Sequence, residues 1–136
     1  MHKDIRWKQR FDNYKTLLDH METVFAAFRK DPENPVNMFA LIQTFNLGFE
    51  LAWKLMKDFL LTEGLDPKFP SEVLKEAFAT KIIEDGQVWF DMRDHRNKMA
   101  HFYDIDHAKE LVEIFSSSYL PAFRALEAYF QKEPVS

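Results

Sequence analysis

Four side chains in the segment RNKMAHFY have the types and spacing for chemistry: Arg96, Asn97, His101 and Tyr103. A helix turns about 100° per residue, so Asn97 and His101 fall one turn apart on the same side, with Arg96 flanking them. If the helix continues, Tyr103 returns to within about 20° of Arg96, two turns along. All four then border one strip of surface. Arg is permanently charged and can clamp a phosphate through two parallel hydrogen bonds. His is the side chain best suited to move protons near neutral pH. Asn97 can orient the ring or a bound group. Arg plus His is adequate for cleaving RNA with the substrate's own 2′-hydroxyl: His acts as general base or acid, and Arg stabilises charge building on the phosphorus oxygens. Such chemistry needs no metal and no cofactor. The strip sits near a helix C-terminus, which favours cations.

The bare spacing is weak. With six Arg and five His in the chain, an Arg followed five to seven residues later by a His is expected about 0.7 times by chance. A polar helix face with satisfied hydrogen bonds gives the same pattern, so the weight falls on the elements that carry these residues.

Those elements read as helices. Trp7, Phe11, Tyr14, Leu18, Met21, Phe25 and Phe28 recur at steps of three and four, one face of a helix over about residues 4 to 29. The segment DPENP breaks it. A second helix runs from about Val36 to Thr62, apolar over a wide arc through Phe39, Ile42, Phe45, Phe49, Ala52, Leu55, Met56 and Phe59. Gly64 stops it. After LDPKFP, Ser71 is expected to cap a short helix through Val73, Leu74, Ala77 and Phe78 to about Lys81. Asp85 and Gly86 start a fourth, which carries Val88, Trp89, Met92, Arg96 and Met99 and ends near His101 or Tyr103. Asp104 or Asp106 can cap the last, which Pro121 kinks or splits. No segment alternates with period two. The expected fold is all-α, an antiparallel up-and-down bundle of four main helices plus one short one, in a single domain over residues 1–136.

Composition narrows the classes. Hydrophobic residues make up 46% and charged residues 29%, the balance of a soluble globular protein. There is no Cys, which excludes disulfides and thiolate metal sites and makes a cytoplasmic location the natural reading. No apolar run reaches the length of a membrane span. The three His at 95, 101 and 107 are six apart and form no metal-binding face. The net charge of −4 means that any contact with RNA must be local.

Four blocks carry a resemblance that spans about residues 6 to 130. RWKQRFDNY at 6–14, FELAWKLMKDFL at 49–60, PSEVLKEAF at 70–78 and IIEDGQVWFDMRDHRNKMAHFYD at 82–104 resemble the nucleotidyltransferase substrate-binding proteins, a branch of the HEPN superfamily. The resemblance implies a helical bundle that forms homodimers and a complex with a minimal nucleotidyltransferase. It also implies a metal-independent ribonuclease motif, R-(polar)-x3-H, which maps onto Arg96, Asn97 and His101. In related toxin–antitoxin pairs the motif extends to R-x4-H-x-Y, and the partner silences the toxin by adenylylating that tyrosine, here Tyr103. An added phosphodiester and base would occupy the phosphate site beside Arg96 and His101. Two functions follow. The first is a HEPN-type toxin, an endoribonuclease neutralised at Tyr103. The alternative is a non-catalytic subunit that binds a nucleotide or other substrate for the nucleotidyltransferase.

Further residues extend the site or compete with it. Glu50 stands on the second helix, where it can pair with Arg96 or remain a surface carboxylate. Trp53 and Trp89 read as core or dimer-interface anchors. Lys54 and Lys57 read as a solvated face. Arg93, His95 and Lys98 add positive charge that could track an RNA backbone or simply face water.

Overall fold

The computed structural model describes residues 2–101 and 105–133, and the side chains of residues 5–99 and 109–133. Among the described residues, six α-helices and one π segment follow in order: α1 (His2–Lys30), α2 (Pro35–Thr62), α3 (Pro70–Ala79), α4 (Gly86–His101), α5 (Ile105–Ile114), the π segment (Phe115–Tyr119) and α6 (Leu120–Lys132). There is no strand among them. The all-α bundle is the architecture that the periodicity predicts.

The stops and starts have local causes. Asn34 caps α2 by accepting from the Val36 N–H at 2.9 Å, and Pro35 fills the first turn, where its missing N–H costs nothing. Gly64 ends α2 at φ 84°, a conformation that costs glycine little. The N–H of Gly64 bonds to Leu61 O and that of Leu65 to Leu60 O, the paired reverse bonds of a Schellman turn. Ser71 does not cap α3. That helix begins at Pro70, with Phe69 in the cap position and no side-chain cap, because proline is pre-set for the first helical position. Asp85 does serve α4, accepting from the Val88 N–H at 3.2 Å.

The core is aromatic. Every residue of the predicted α1 stripe, from Trp7 to Phe28, is buried, and Phe45, Phe49, Phe115, Phe123 and Phe130 are sealed against it. Gly48 of α2 lies against side chains of α1 and α6: a Cβ there would meet Met21 Cε at 2.5 Å and Phe123 Cζ at 3.3 Å. Two side chains expected in apolar faces lie outward. Phe39 and Phe78 are each about half exposed. Helical spacing defines a face but not its width, and among the described residues no neighbouring helix fully covers these two positions.

Pro121 interrupts the last helix by widening it. The Leu120 N–H reaches back five residues to Phe115 O, a π turn, where Pro121 has no N–H to give. The extra residue turns Tyr119 inward. Its ring stacks on Phe45 with centroids 5.5 Å apart.

Candidate functional site

Glu50 and Arg96 meet where α2 packs against α4. A Glu50 Oε1 ion pair with Arg96 Nη2 joins the two helices. Glu50 is itself held by the next turn of its own helix: the Trp53 indole N–H donates to Oε2 at 3.2 Å, and Lys54 Nζ stands 3.6 Å from the same oxygen. Arg96 Nη1 donates to Asn97 Oδ1 at 3.2 Å. Both partners of the ion pair remain partly open to solvent. The result is a guanidinium fixed in direction and half-buried, with donors on an accessible surface.

Of the predicted site residues, the structure therefore brings Glu50, Arg96 and Asn97 together. The side chain of His101 and all of Tyr103 lie outside the described residues. Lys54 is not simply solvated, since it bends back to Glu50. Trp89 is buried in the core, and Trp53 is half-buried with its N–H spent on Glu50.

His95 has a different job from the one its charge suggests. Its ring faces inward, with Nδ1 hydrogen-bonded to the Tyr119 hydroxyl and Nε2 3.5 Å from Glu110. Burial, reinforced by Asp91, Asp94 and Glu110, raises the Tyr119 phenol above its ordinary range, so the hydroxyl keeps its proton. His95 thus ties α4 to the π segment and is not available to track a nucleic-acid backbone. Sequence reasoning missed this link because 24 residues separate the partners. Pro121 was the only local hint that the helix wall would be rearranged there.

Arg93 lies one turn before Arg96. Its guanidinium rests over the Phe90 ring at 5.3 Å and donates through Nη2 to its exposed neighbour Asp94 at 3.2 Å. A separate groove of about 570 Å³ opens between residues 81–85, the first turn of α4 and one face of α6. Neither Glu50 nor Arg96 lines it. Among the described residues, no cluster of His, Asp and Glu could hold a metal ion, and no helix is long and apolar enough to cross a membrane.

The family model described as nucleotidyltransferase substrate binding protein like matches residues 9–132. The chain belongs to that family. Glu50, Trp53, Arg93, Arg96 and Asn97 all fall within the matched span, so the α2–α4 site is part of the family domain. The chain is similar to a Thermus thermophilus protein of known crystal structure, with 26% identity, a TM-score of 0.71, and coverage of 88% of this chain and 97% of that one. It is also similar in fold to HI0074 of Haemophilus influenzae, with 20% identity, a TM-score of 0.75, and coverage of 90% and 99%. The HI0074 structure is described as revealing the fold of a substrate binding domain of a nucleotidyltransferase. A search of curated proteins finds no significant match.

Proposed function

We propose that the protein is the substrate-binding subunit of a two-component nucleotidyltransferase, and that the strip at Arg96 holds a phosphate-bearing substrate. The observation that carries this is the Glu50–Arg96 pair. Glu50, steadied by Trp53 and Lys54, orients the guanidinium before any ligand arrives, which reduces the ordering cost of binding. The family membership and the description of HI0074 support a nucleotidyltransferase as partner. Association as a homodimer also fits. Residues 34–49 carry no charged side chain, and Val36 and Leu47 in that stretch are more than half exposed. A two-fold contact sets each patch against its own copy, so an uncharged patch suits it.

A second reading keeps the same strip but makes it catalytic. The match of RNKMAHFY to R-x4-H-x-Y favours a HEPN-type endoribonuclease toxin. His101 would then move the proton, Arg96 and Asn97 would hold the phosphate, and adenylylation of Tyr103 by a minimal nucleotidyltransferase would neutralise it. The net charge of −4 favours the binding subunit, since a free RNA enzyme gains from a basic surface.

One paired experiment separates the two. Purified, mass-checked protein is incubated with total RNA in EDTA beside His101→Ala, and in parallel titrated with ATP by calorimetry beside Arg96→Met. The binding subunit takes up ATP, loses roughly tenfold or more in affinity with Arg96→Met, and leaves RNA intact. Metal-free cleavage by the parent alone establishes a ribonuclease instead and makes adenylylation of Tyr103 the next question.

A further inference from the structure

Two irregularities of the backbone fall on one groove. Lys81 is the one non-glycine residue with positive φ among the described residues, at 65°. Phe115–Tyr119 is the one π segment among them. Lys81, together with Ser117 and Ser118 of the π segment, lines the groove of about 570 Å³ between residues 81–85 and α6. Left-handed backbone in a residue with a long side chain and single π turns both concentrate at functional sites, because each costs stability that a regular structure would keep. Here the two meet at one cavity, and Glu50 and Arg96 are not part of it.

Lys81 follows α3 at the position where glycine is usual. Its N–H bonds to Phe78 O at 3.1 Å and that of Ile82 to Ala77 O at 2.8 Å, the closure of a helix end through a left-handed residue. Glycine takes that conformation without a Cβ clash, and lysine does not. The helix end uses only the backbone of Lys81, and its ammonium group meets no carboxylate among the described residues. The rest of this wall is pinned: Ile82 and Ile83 are buried, and Asp85 is committed to the Val88 N–H. The groove is thus formed before a ligand arrives. Across it, Pro121, Ala125 and Lys132 lie exposed on one face of α6, where the small side chains leave the volume open. Lys132 likewise meets no carboxylate among the described residues. Buried Ile83, Trp89 and Leu126 supply an apolar floor. One lysine thus stands on each wall, and Glu84, on the loop wall, is the opposing charge.

We propose that this groove is a ligand site of its own, separate from Arg96, for a small organic anion with a flat apolar body. The body lies on Pro121, Ala125 and the buried floor, and Lys81 and Lys132 draw the anionic group from the two walls. A volume of about 570 Å³ suits a small molecule of that kind. Lysine in place of glycine at position 81 then has a reason: the strained backbone sets a cation at the rim of the groove.

The test titrates anilinonaphthalene sulfonate into the full chain by fluorescence, beside phenylnaphthylamine, the same rings without the sulfonate. The parent should bind the sulfonate saturably and prefer it to the uncharged amine. Ala125→Trp fills the groove and should remove binding of both probes. Lys81→Gly should raise the melting temperature by a few degrees, since the left-handed backbone no longer carries a side chain, and should weaken the sulfonate roughly two- to fivefold while sparing the amine. Lys132→Met should give the same loss without the gain in stability. Glu84→Gln should strengthen the sulfonate by a similar factor. Arg96→Met should bind both probes as the parent does. Unchanged sulfonate affinity in Lys81→Gly and Lys132→Met overturns the proposal, as does binding that survives Ala125→Trp. A lower melting temperature in Lys81→Gly makes the lysine structural and removes its role. Loss of binding in Arg96→Met places the probe on the other strip and overturns the separate site, and no saturable binding by the parent overturns it outright.

Discussion

Arg124 and Arg93 are the same residue at nearly the same exposure, 28% and 30% of the side chain, yet they are used in opposite ways. Arg124, on α6, is surrounded: Glu22 at 2.7 Å, Glu127 at 2.9 Å and Asp19 at 3.2 Å tie α6 to α1. Burial works to lower its pKa, but the hydrogen bonds that its guanidinium donates to these carboxylates outweigh that and raise it. Arg93, on α4, has one exposed carboxylate beside it among the described residues and an Nε with no partner. Arg124 is satisfied across the α1–α6 seam, whereas across the α2–α4 seam the ion pair among the described residues is Glu50–Arg96 and Arg93 turns to its own helix. A cation saturated by carboxylates from two helices fastens them together, whereas Arg93, paired only with its own neighbour Asp94 among the described residues, fastens nothing across the seam. What distinguishes the two arginines is the number and placement of their carboxylate partners, and exposure does not separate them.

The largest expected effect removes the support shared by both seams. Phe45 is fully buried, stacked on Tyr119 and in contact with Phe123 of α6. Phe45→Ala should cost about 3–5 kcal/mol, through lost burial and the cavity left behind. Chemical denaturation would measure this, and a loss below about 1 kcal/mol would mean that the ring does not brace the two seams.

The next effect is a crossing. Arg124→Met should cost about 1 kcal/mol of stability, since its partners are largely exposed, and should leave nucleotide affinity unchanged. Arg96→Met should do the reverse, with little change in melting temperature and a clear loss of affinity. Melting curves and ATP titrations on both variants check this. Affinity lost with Arg124→Met would erase the contrast between the seams.

The smallest effect concerns the Tyr119–His95 link. Tyr119→Phe keeps the stack on Phe45 and deletes only the hydroxyl, for about 1 kcal/mol. It should also change alkaline behaviour. Burial raises the folded pKa of Tyr119 above its ordinary 10.0, so the folded state holds this proton more tightly than the unfolded chain does. The stabilisation is complete below pH 10 and is lost as pH rises above it. Tyr14, buried and donating to Phe123 O at 2.8 Å, behaves in the same direction. Urea midpoints should therefore fall above pH 10 in the parent and fall less steeply in Tyr119→Phe. Identical slopes would show that the phenol does not contribute.

Much of this protein was legible before any fold was known. The three-and-four spacing from Trp7 to Phe28 specified the buried face of α1, because apolar side chains on one face of a helix must be removed from water together. Gly64 and Asp85 marked helix ends, because backbone groups at a terminus need particular residues. Arg96 and Asn97 stood out as a polar group at the end of an amphipathic segment. Other features were decided only by tertiary structure. Whether Glu50 met Arg96 depended on how α2 and α4 cross, and 46 positions separate the two in sequence. His95 read as a surface cation until the π turn at Pro121 brought Tyr119 against it. The unpartnered Nε of Arg93 is invisible in a sequence, since being unpartnered is a property of surroundings. Periodicity reports which side of a helix is buried, and only the packing of helices reports which polar groups have been satisfied and which have not.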